Sequence, residues 1–327
     1  VKQPAVAVSK PSALNLAGKL VFQTRNGGEI YIMQADGSGL RQLTTGFEPA
    51  ISPDGTQVAF TRWDEPRGLW VINADGSNER LLAGANRGRS PTWTPDGQSI
   101  IFERSTGSYQ CATTPFGCLT AEEWRAQFFG QDCIDTPFGT YCFDDFSLIT
   151  VDLTGLTRYD LASGAQRDLP ANDRAQAPHQ NPVDSTVLFI DANGLEATRN
   201  EGNDPPWRLV NAPGLLAASQ YSPDGQFIYG SRKSHDHWDI WRWRADGSQA
   251  TALTAPPALR DRAINNVSPA VSPDGRTVLF LTDRTGPWEL WSMNADGSDQ
   301  RPFAPDALAG VNFGYNFVTE RMIDWGK

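Results

Sequence analysis

Two short turn motifs recur along this chain in a fixed order, and they constrain its fold more than any other feature. Within a unit a Pro-Asp-Gly turn comes first, two short apolar runs follow, and an Ala-Asp-Gly-Ser turn comes next. Asp-Gly pairs supply the positive backbone angles that tight hairpin turns need. Successive units lie roughly 40 to 50 residues apart, which is the period of four-stranded propeller blades. The first motif begins at Ser52, Thr94, Ser222 and Ser272, and the second at Ala35, Ala74, Ala245 and Ala295.

One complete unit, residues 47–82, provides a strand template that fits the chain six times. Its four runs are rich in β-branched and aromatic residues, as expected of strands. The first unit lacks a first strand, and in the fourth unit residues 181–184 replace the turn motif. The carboxy-terminal residues align with the first strands of other units. We therefore predict an all-β, six-bladed β-propeller of four-stranded antiparallel blades, closed where residues 322–325 pair with residues 20–24.

A long insertion separates the second and third strands of blade three. It spans residues 106–154, and we predict a helix over residues 121–129 with Thr120 as its N-cap. Residues 1–16, rich in Pro, Ala and Ser, are predicted to be a flexible tether, and residues 17–327 the propeller. The insertion holds all four cysteines of the chain, which are Cys111, Cys118, Cys133 and Cys142. Their gaps are too wide and uneven for a zinc site, so we predict two disulfides, with all three pairings left open.

The last unit carries a resemblance to a known family. Residues 272–301 read Ser-Pro-Asp-Gly, then Val-Leu-Phe, then Arg, then Glu-Leu-Trp-Ser-Met-Asn-Ala-Asp-Gly-Ser. This pattern resembles the TolB-like β-propeller family, over residues 17–327 apart from the insertion. We expect the propeller alone, without the amino-terminal α/β domain of TolB or the hydrolase domain of the dipeptidyl peptidase relatives. The resemblance implies a protein-binding scaffold, although some propellers with similar repeats cleave peptides or acidic polysaccharides with a bound metal.

Charge and composition narrow the classes of partner and the compartment. The formal net charge is −10, which argues against nucleic acid and against an anionic membrane surface. No apolar run approaches the ~20 residues of a membrane span. Two disulfides imply an oxidising compartment. We therefore expect an extracytoplasmic protein (periplasmic, secreted or lipid-anchored), with an export signal or lipid anchor removed upstream.

Common catalytic motifs are missing from the sequence. It has no Gly-x-Ser-x-Gly, His-Glu-x-x-His, P-loop or Gly-x-Gly-x-x-Gly pattern. Most Asp residues of the turns are expected to cap backbone donors, so no catalytic residue and no cofactor is predicted. His235 and His237 would share a face of an extended segment and could jointly hold a transition metal. A solvated turn is the alternative for this pair, and a calcium ion is the other metal considered.

The strand order predicts which face carries function. In an up-and-down blade, the two recurring turns lie on one face of the disc, and the second-to-third loops and interblade connections lie on the other. The irregular segments of this chain, including the insertion, all belong to the second face. The expected ligand contacts there are Trp63, Trp124, Phe128, Phe129, Trp238 and Trp288. Residues at the starts of first strands are expected to line the channel mouth, namely Glu48, Ser90, His179, Ser219, Ser268 and Asp324.

These observations favour a non-enzymatic binding or scaffold module, acting as a monomer. It would recognise a protein, peptide or glycan on the face that carries the insertion. The alternative is a metal-dependent hydrolase or polysaccharide lyase that acts at the channel mouth through His179, Glu48 and the histidine pair. A purely structural role in a larger assembly is a third possibility, which the sequence does not separate from the first.

Overall fold

The computed structural model describes residues 16–115, 117–255, 262–317 and 321–327. Six antiparallel sheets with strands in up-and-down order form the six blades of a β-propeller, which confirms the predicted fold class. Five of them have four strands, and the sheet of blade three gains a fifth strand from the insertion. The predicted tether, residues 1–16, lies outside the described residues except for Leu16. No helix in the described part of the chain is long and apolar enough to cross a membrane.

The strands follow the order of the repeats. Blade one holds β1 (Lys19–Gln23), β2 (Glu29–Gln34) and β3 (Arg41–Thr45), and blade two holds β4 (Phe47–Ile51), β5 (Gln57–Arg62), β6 (Gly68–Asn73) and β7 (Arg80–Gly84). Blade three begins with β8 (Arg89–Trp93) and β9 (Ser99–Thr114). The insertion adds β10 (Gly117–Leu119), α1 (Ala121–Gln127), β11 (Cys133–Thr136), β12 (Gly139–Cys142) and a short 3-10 helix (Phe143–Asp145). Blade three then resumes with β13 (Leu148–Asp160) and β14 (Gln166–Asp168).

The second half of the ring has the same arrangement. Blade four holds β15 (Gln176–Gln180), β16 (Thr186–Asp191), β17 (Gly194–Arg199) and β18 (Trp207–Asn211). Blade five holds β19 (Leu216–Tyr221), β20 (Phe227–Ser234), β21 (His237–Arg244) and β22 (Thr251–Ala252). Blade six holds β23 (Asn266–Val271), β24 (Thr277–Thr282), β25 (Glu289–Asn294) and β26 (Arg301–Pro302), and β27 (Ile323–Gly326) follows it.

The carboxy-terminal strand closes the ring. β27 pairs antiparallel with β1, from Lys19 opposite Gly326 to Phe22 opposite Ile323. The indole nitrogen of Trp325 donates to the carbonyl oxygen of Ala17 at 3.1 Å. Blade one therefore combines both ends of the described chain, as predicted, and this closure leaves no open edge between the first and last blades.

The recurring turns are stabilised by side-chain hydrogen bonds. In the first Pro-Asp-Gly copy, Asp54 Oδ1 accepts from the Ser52 hydroxyl at 2.6 Å and from the Thr56 backbone amide at 3.0 Å. These bonds, that of Ser52 first, lower the pKa of Asp54. Gly55 adopts a φ of 70°, which glycine reaches without strain. The carboxylate is thus a backbone cap, as its sequence position predicted.

Each blade buries both faces of its middle strands. On β5, Val58 and Phe60 pack in a cluster with side chains of blade one, whereas Ala59 packs in a cluster with side chains of blade three. All three are fully buried. Because both faces are covered, these strands carry nearly continuous apolar runs in place of polar-apolar alternation.

The insertion, which we call the flap (residues 106–154), begins as an extension of blade three. The sequence suggested that the second strand stops near Ser105 and the third resumes at Leu156. Instead, β9 and β13 remain paired as far as Ala112 opposite Leu148, with one register shift after Leu153. The Thr, Ser, Tyr and Val residues of this region favour extended backbone, and the pairing satisfies the hydrogen bonds of a long hairpin.

The tip of the flap is cross-linked. Disulfides join Cys111 to Cys118 and Cys133 to Cys142, which confirms two bridges and resolves the pairing. α1 starts with the predicted N-cap, since the Thr120 hydroxyl accepts from the Glu123 amide at 3.2 Å and the Glu123 carboxylate accepts from the Thr120 amide at 2.8 Å. The helix ends at Gln127, two residues earlier than expected.

Candidate functional site

The ring has a cavity at its axis on the face that carries the flap. We call this cavity of about 410 Å³ the flap-face pocket. The ends of strands in blades three, four and five supply most of its wall, and interblade connections and a second-to-third loop supply the rest. Its lining residues are Arg89, Arg174, Gln176, Ile190, Asp191, Ala192, Gly214, Leu216, Ala217, Lys233, Trp238 and Phe317.

Positive charge dominates the wall of the flap-face pocket. Arg174 and Lys233 are exposed, and neither has an ion pair within the residues that the structure describes. Among the described residues of the wall, Asp191 is the one carboxylate, and its oxygens already accept from the backbone amides of Asn193 at 2.7 Å and Gly194 at 3.0 Å. That carboxylate is thus committed to capping the turn between β16 and β17.

Arg89 connects the pocket to a buried group of polar residues beneath it. Its guanidinium lies 2.8 Å from the carboxylate of Glu48, which is fully buried. Glu103, on the neighbouring strand β9, is also buried. Burial first, and then the nearby charge of Glu48, raises the pKa of Glu103 to about 8. Glu103 is therefore mostly uncharged at neutral pH, and the ion pair of Arg89 is with Glu48.

The buried position of Glu48 follows from a bulge in each first strand. In blades two to six, the pairing of the first strand with the second shifts register, and a residue with positive φ marks the shift. The amide of Glu48 donates to the Gln23 side chain of the preceding blade at 2.8 Å, and Ser268 donates likewise to Ser231 at 2.9 Å. The marking residues are Glu48, Ser90, Ala177, Ala218 and Ser268.

The channel-lining residues expected from the sequence therefore do not form one ring. Glu48, Ser90, Ser219 and Ser268 are buried, with at most 4% of each exposed. Ser219 follows the bulge by one position, and His179 and Asp324 lie further along their strands, so the six are not structurally equivalent. A bulge adds one residue to one strand, and this extra residue rotates the side chains that follow it. As ligand contacts, Glu48 and the others stay predictions.

His179 and Asp324 lie at the opposite end of the axis. A second cavity of about 460 Å³, the turn-face pocket, is bounded there by the first strands of all six blades. Burial first, and then Arg321, lowers the pKa of His179 to about 3, and burial raises that of Asp324. His179 Nδ1 accepts from the Tyr221 amide at 3.3 Å, and Asp324 accepts from the Ile51 amide at 2.8 Å. Both side chains thus already bond to backbone.

Three of the predicted tryptophans lie near the flap-face pocket. Trp238 lines it but is only 8% exposed. Trp63 stacks on Phe47 with ring centres 4.4 Å apart and lies 5.6 Å from the guanidinium of Arg89. Trp288 packs against Phe317, with ring centres 5.7 Å apart. Their roles as ligand contacts stay predictions, with Phe317 the more accessible ring at 44% exposed.

The other predicted aromatic residues belong to the flap. Trp124 is fully buried there and packs on Phe128, with ring centres 4.5 Å apart. Phe129 follows α1 and is 98% exposed, and Phe138, in the turn between β11 and β12, is 89% exposed. The tip thus has its own small core and presents two phenyl rings to solvent.

The histidine pair has a different geometry from the one assumed. His235 lies in the turn between β20 and β21 with a φ of 40°, so the segment is not extended. His237 contacts Asp236 through Nδ1 and Asp239 through Nε2, both at 2.9 Å. Among the described residues, no group of three or more His, Cys, Asp or Glu side chains is arranged to hold a metal. The metal role of His235 and His237 stays a prediction.

Sequence reasoning missed the cations of the flap-face pocket. Arg174 precedes β15 in an interblade connection, and Lys233 is near the end of β20. Both occupy segments that the strand order assigned to this face, so a search of those segments for charge could have found them. They line the same cavity because blades three, four and five pack side by side. Phe138 was similarly visible in the sequence, because Thr-Pro-Phe-Gly occurs twice in the insertion, at residues 114–117 and at residues 136–139.

Comparison with known proteins agrees with the repeat and the fold. No family model matches the chain. A TolB homolog of Chlorobium luteolum is 31% identical over 158 residues, 42% of this chain and 35% of that protein. The chain spans 18% to 35% of the length of the curated relatives it matches.

Two solved structures extend the comparison. TolB from Acinetobacter baumannii superposes with a TM-score of 0.63 at 16% identity, over 94% of this chain and 66% of that one. An oligogalacturonate lyase in complex with manganese reaches a TM-score of 0.50 at 16% identity, over 84% of this chain and 70% of that one. At this identity, both likenesses concern the fold alone. Its Pro-Asp-Gly repeat and its ring of six blades, with a partial sequence likeness to TolB homologues, show that this chain is a six-bladed β-propeller similar to that of TolB.

Proposed function

We propose that this chain is a non-enzymatic binding module that recognises a protein, peptide or glycan on the face that carries the flap. The observation that carries the proposal is the pair of exposed phenyl rings, Phe129 and Phe138, on a cross-linked tip. Exposed aromatic side chains cost free energy in water, and buried aromatic anchors contribute much of the affinity of protein interfaces. The TolB-like architecture supports binding of a protein in particular.

The tip is built to hold these rings in place. Trp124 packs on Phe128, on Phe143 at 6.0 Å and on Phe146 at 5.6 Å between ring centres. Its indole nitrogen also donates to the carbonyl oxygen of Asp132 at 3.2 Å. A preorganised surface loses less conformational entropy on binding. The small core and the two disulfides therefore favour a recognition role over a loop that merely covers the blade.

The proposal includes a compartment and a state of assembly. Two disulfides fit an oxidising environment, and residues 1–16 would tether the propeller outside the cytoplasm. We further propose that the protein acts as a monomer. Export of a full-length fusion to a reporter enzyme that is active only outside the cytoplasm tests the compartment, and light scattering tests the monomer.

A double substitution tests the binding face. Phe129→Ser with Phe138→Ser removes both rings from the tip. The control is Val183→Ser, because Val183 is 65% exposed on the opposite face, in the turn of blade four. Full-length protein is used to capture partners from an envelope extract of the source organism, and captured proteins and glycans are quantified by mass spectrometry. Loss of a specific partner only in the double variant is expected, and equal capture by all three proteins would refute the face assignment.

A further inference from the structure

We propose that the flap-face pocket binds an acidic segment of a peptide chain, whose carboxylates contact Arg174 and Lys233. This inference deepens the proposed function, on which it rests for the choice of a protein partner. The first support is the charge of the site. In a chain with a formal net charge of −10, three cations meet around one cavity of about 410 Å³. A concave basic site in an acidic protein concentrates anionic ligands.

Two of these cations are available to a ligand. Arg174 and Lys233 are exposed, and neither is in an ion pair with any part of the chain that the structure describes. The pocket's own carboxylate, Asp191, is only 7% exposed and caps a turn. Guanidinium and ammonium groups bind carboxylates through charge-assisted hydrogen bonds, the stronger class of such bonds. The pocket therefore has a net positive charge that favours an anionic ligand.

Arg89 has a different role from the other two cations. It contacts Glu48 at 2.8 Å and is mostly buried, with 13% of its side chain exposed. It therefore forms part of the floor, where it balances a buried carboxylate and maintains the shape of the site. We assign ligand contacts to Arg174 and Lys233 and leave Arg89 as a positioning residue.

The remaining lining distinguishes a peptide from an acidic glycan. Apart from the charged groups, Gln176 is the single polar side chain of the described wall, and Ile190, Ala192, Leu216 and Ala217 are apolar. A saccharide presents several hydroxyl groups and would need more neutral hydrogen-bonding partners than one amide. Trp238 is too buried for a sugar ring to stack on its face, which leaves Phe317 as the one exposed aromatic ring of the described wall. Carboxylates interspersed with apolar side chains match this wall better.

Synthetic peptides provide a direct test with purified full-length protein. The probe is a fluorescein-labelled peptide of alternating Glu and Leu, and its matched control has Gln in place of each Glu. Trigalacturonate, as an acidic saccharide, competes in a separate arm. Fluorescence anisotropy is measured at two salt concentrations. The Glu peptide is expected to bind at least tenfold tighter than the Gln peptide, and to weaken as salt increases, on the order expected for charge-assisted contacts.

Three single variants locate the binding. Arg174→Gln and Lys233→Gln are each expected to weaken the Glu peptide about tenfold. Arg276→Gln is the matched control, because Arg276 is exposed in a turn on the opposite face, and it should leave affinity unchanged. Equal binding of the Glu and Gln peptides, or equal effects of all three variants, would overturn the proposal. Displacement by trigalacturonate at a lower concentration than by unlabelled Glu peptide would overturn the choice of a peptide.

Failure of the pocket proposal can be distinguished from failure of the proposed function. The Phe129→Ser, Phe138→Ser double variant keeps an intact pocket, so it should bind the Glu peptide as the unmodified protein does. Loss of partner capture in that variant with retained peptide binding supports both proposals. Retained capture with peptide binding lost in Arg174→Gln supports the pocket and refutes the role of the phenyl rings.

Discussion

Replacing Glu103 by Gln tests whether a buried carboxyl sets the pH dependence of folding. Glu103 is 3% exposed and accepts a hydrogen bond from the Ala177 amide at 3.2 Å. Burial first, and then the charge of Glu48, raises its pKa from 4.5 to about 8. Glutamine has nearly the same shape, keeps an oxygen that can accept from Ala177, and never ionises. The substitution thus removes the titration and little else.

The sign and size of the effect follow from proton linkage. The folded state binds more protons than the unfolded state between pH 4.5 and about 8, so its free energy of unfolding falls as pH rises through that window and levels off above it. At about 1.4 kcal/mol per pH unit, the titration of Glu103 changes the free energy of unfolding by at most about 5 kcal/mol across this window. Between pH 5 and pH 8 the stability of the Glu103→Gln variant relative to the unmodified protein is expected to rise by about 3 kcal/mol.

Urea unfolding at a series of pH values measures this difference, with intrinsic tryptophan fluorescence as the signal. Glu123→Gln is the control of opposite sign. Hydrogen bonds from Thr120 hold the pKa of Glu123 below its usual value, so the variant should lose stability above pH 4.5 and not below the folded-state pKa. A stability difference for Glu103→Gln that stays constant from pH 5 to pH 8 would show that Glu103 is solvated, and the description of Glu103 as a buried carboxyl with a raised pKa would be wrong.

Three further changes probe closure and the flap. Gly326→Ala should lower the melting temperature, because a Cβ there would meet Ile51 Cγ2 at 2.2 Å, at a cost of about 1–3 kcal/mol. The control is Gly310→Ala, whose Cβ would meet nothing within 4 Å and should leave the melting temperature unchanged. Equal melting temperatures of the two variants would contradict the closure geometry. Trp124→Ala removes the centre of the tip's core, so limited proteolysis should cut the flap while the ring keeps its melting temperature; an uncut flap would count against that core. Reduction of both disulfides should raise hydrogen exchange in the flap alone, and exchange spreading to the blades would show that the ring depends on them.

The repeated turns and the strand template between them predicted the fold class and the number of blades, and the likeness of the carboxy-terminal residues to the first strands predicted the closure. A Pro-Asp-Gly or Asp-Gly-Ser turn is a local structure, because its hydrogen bonds and its positive φ angles involve residues a few positions apart. A local rule of this kind can be read from sequence. The helix N-cap at Thr120 is local in the same sense, and it too was confirmed.

Non-local contacts decided the rest. The extent of β9 depended on β13, a partner strand more than 30 residues away in sequence. The disulfides are local, since each joins successive cysteines of one short hairpin, but the sequence did not predict the hairpins β9–β10 and β11–β12. At the bulge, the amide of Glu48 donates to the side-chain oxygen of Gln23 in the preceding blade, and a shift of one residue there changes which side chains are buried. Arg174 and Lys233 line one cavity only because neighbouring blades pack side by side, and short-range sequence patterns carry no information about residues brought together in that way.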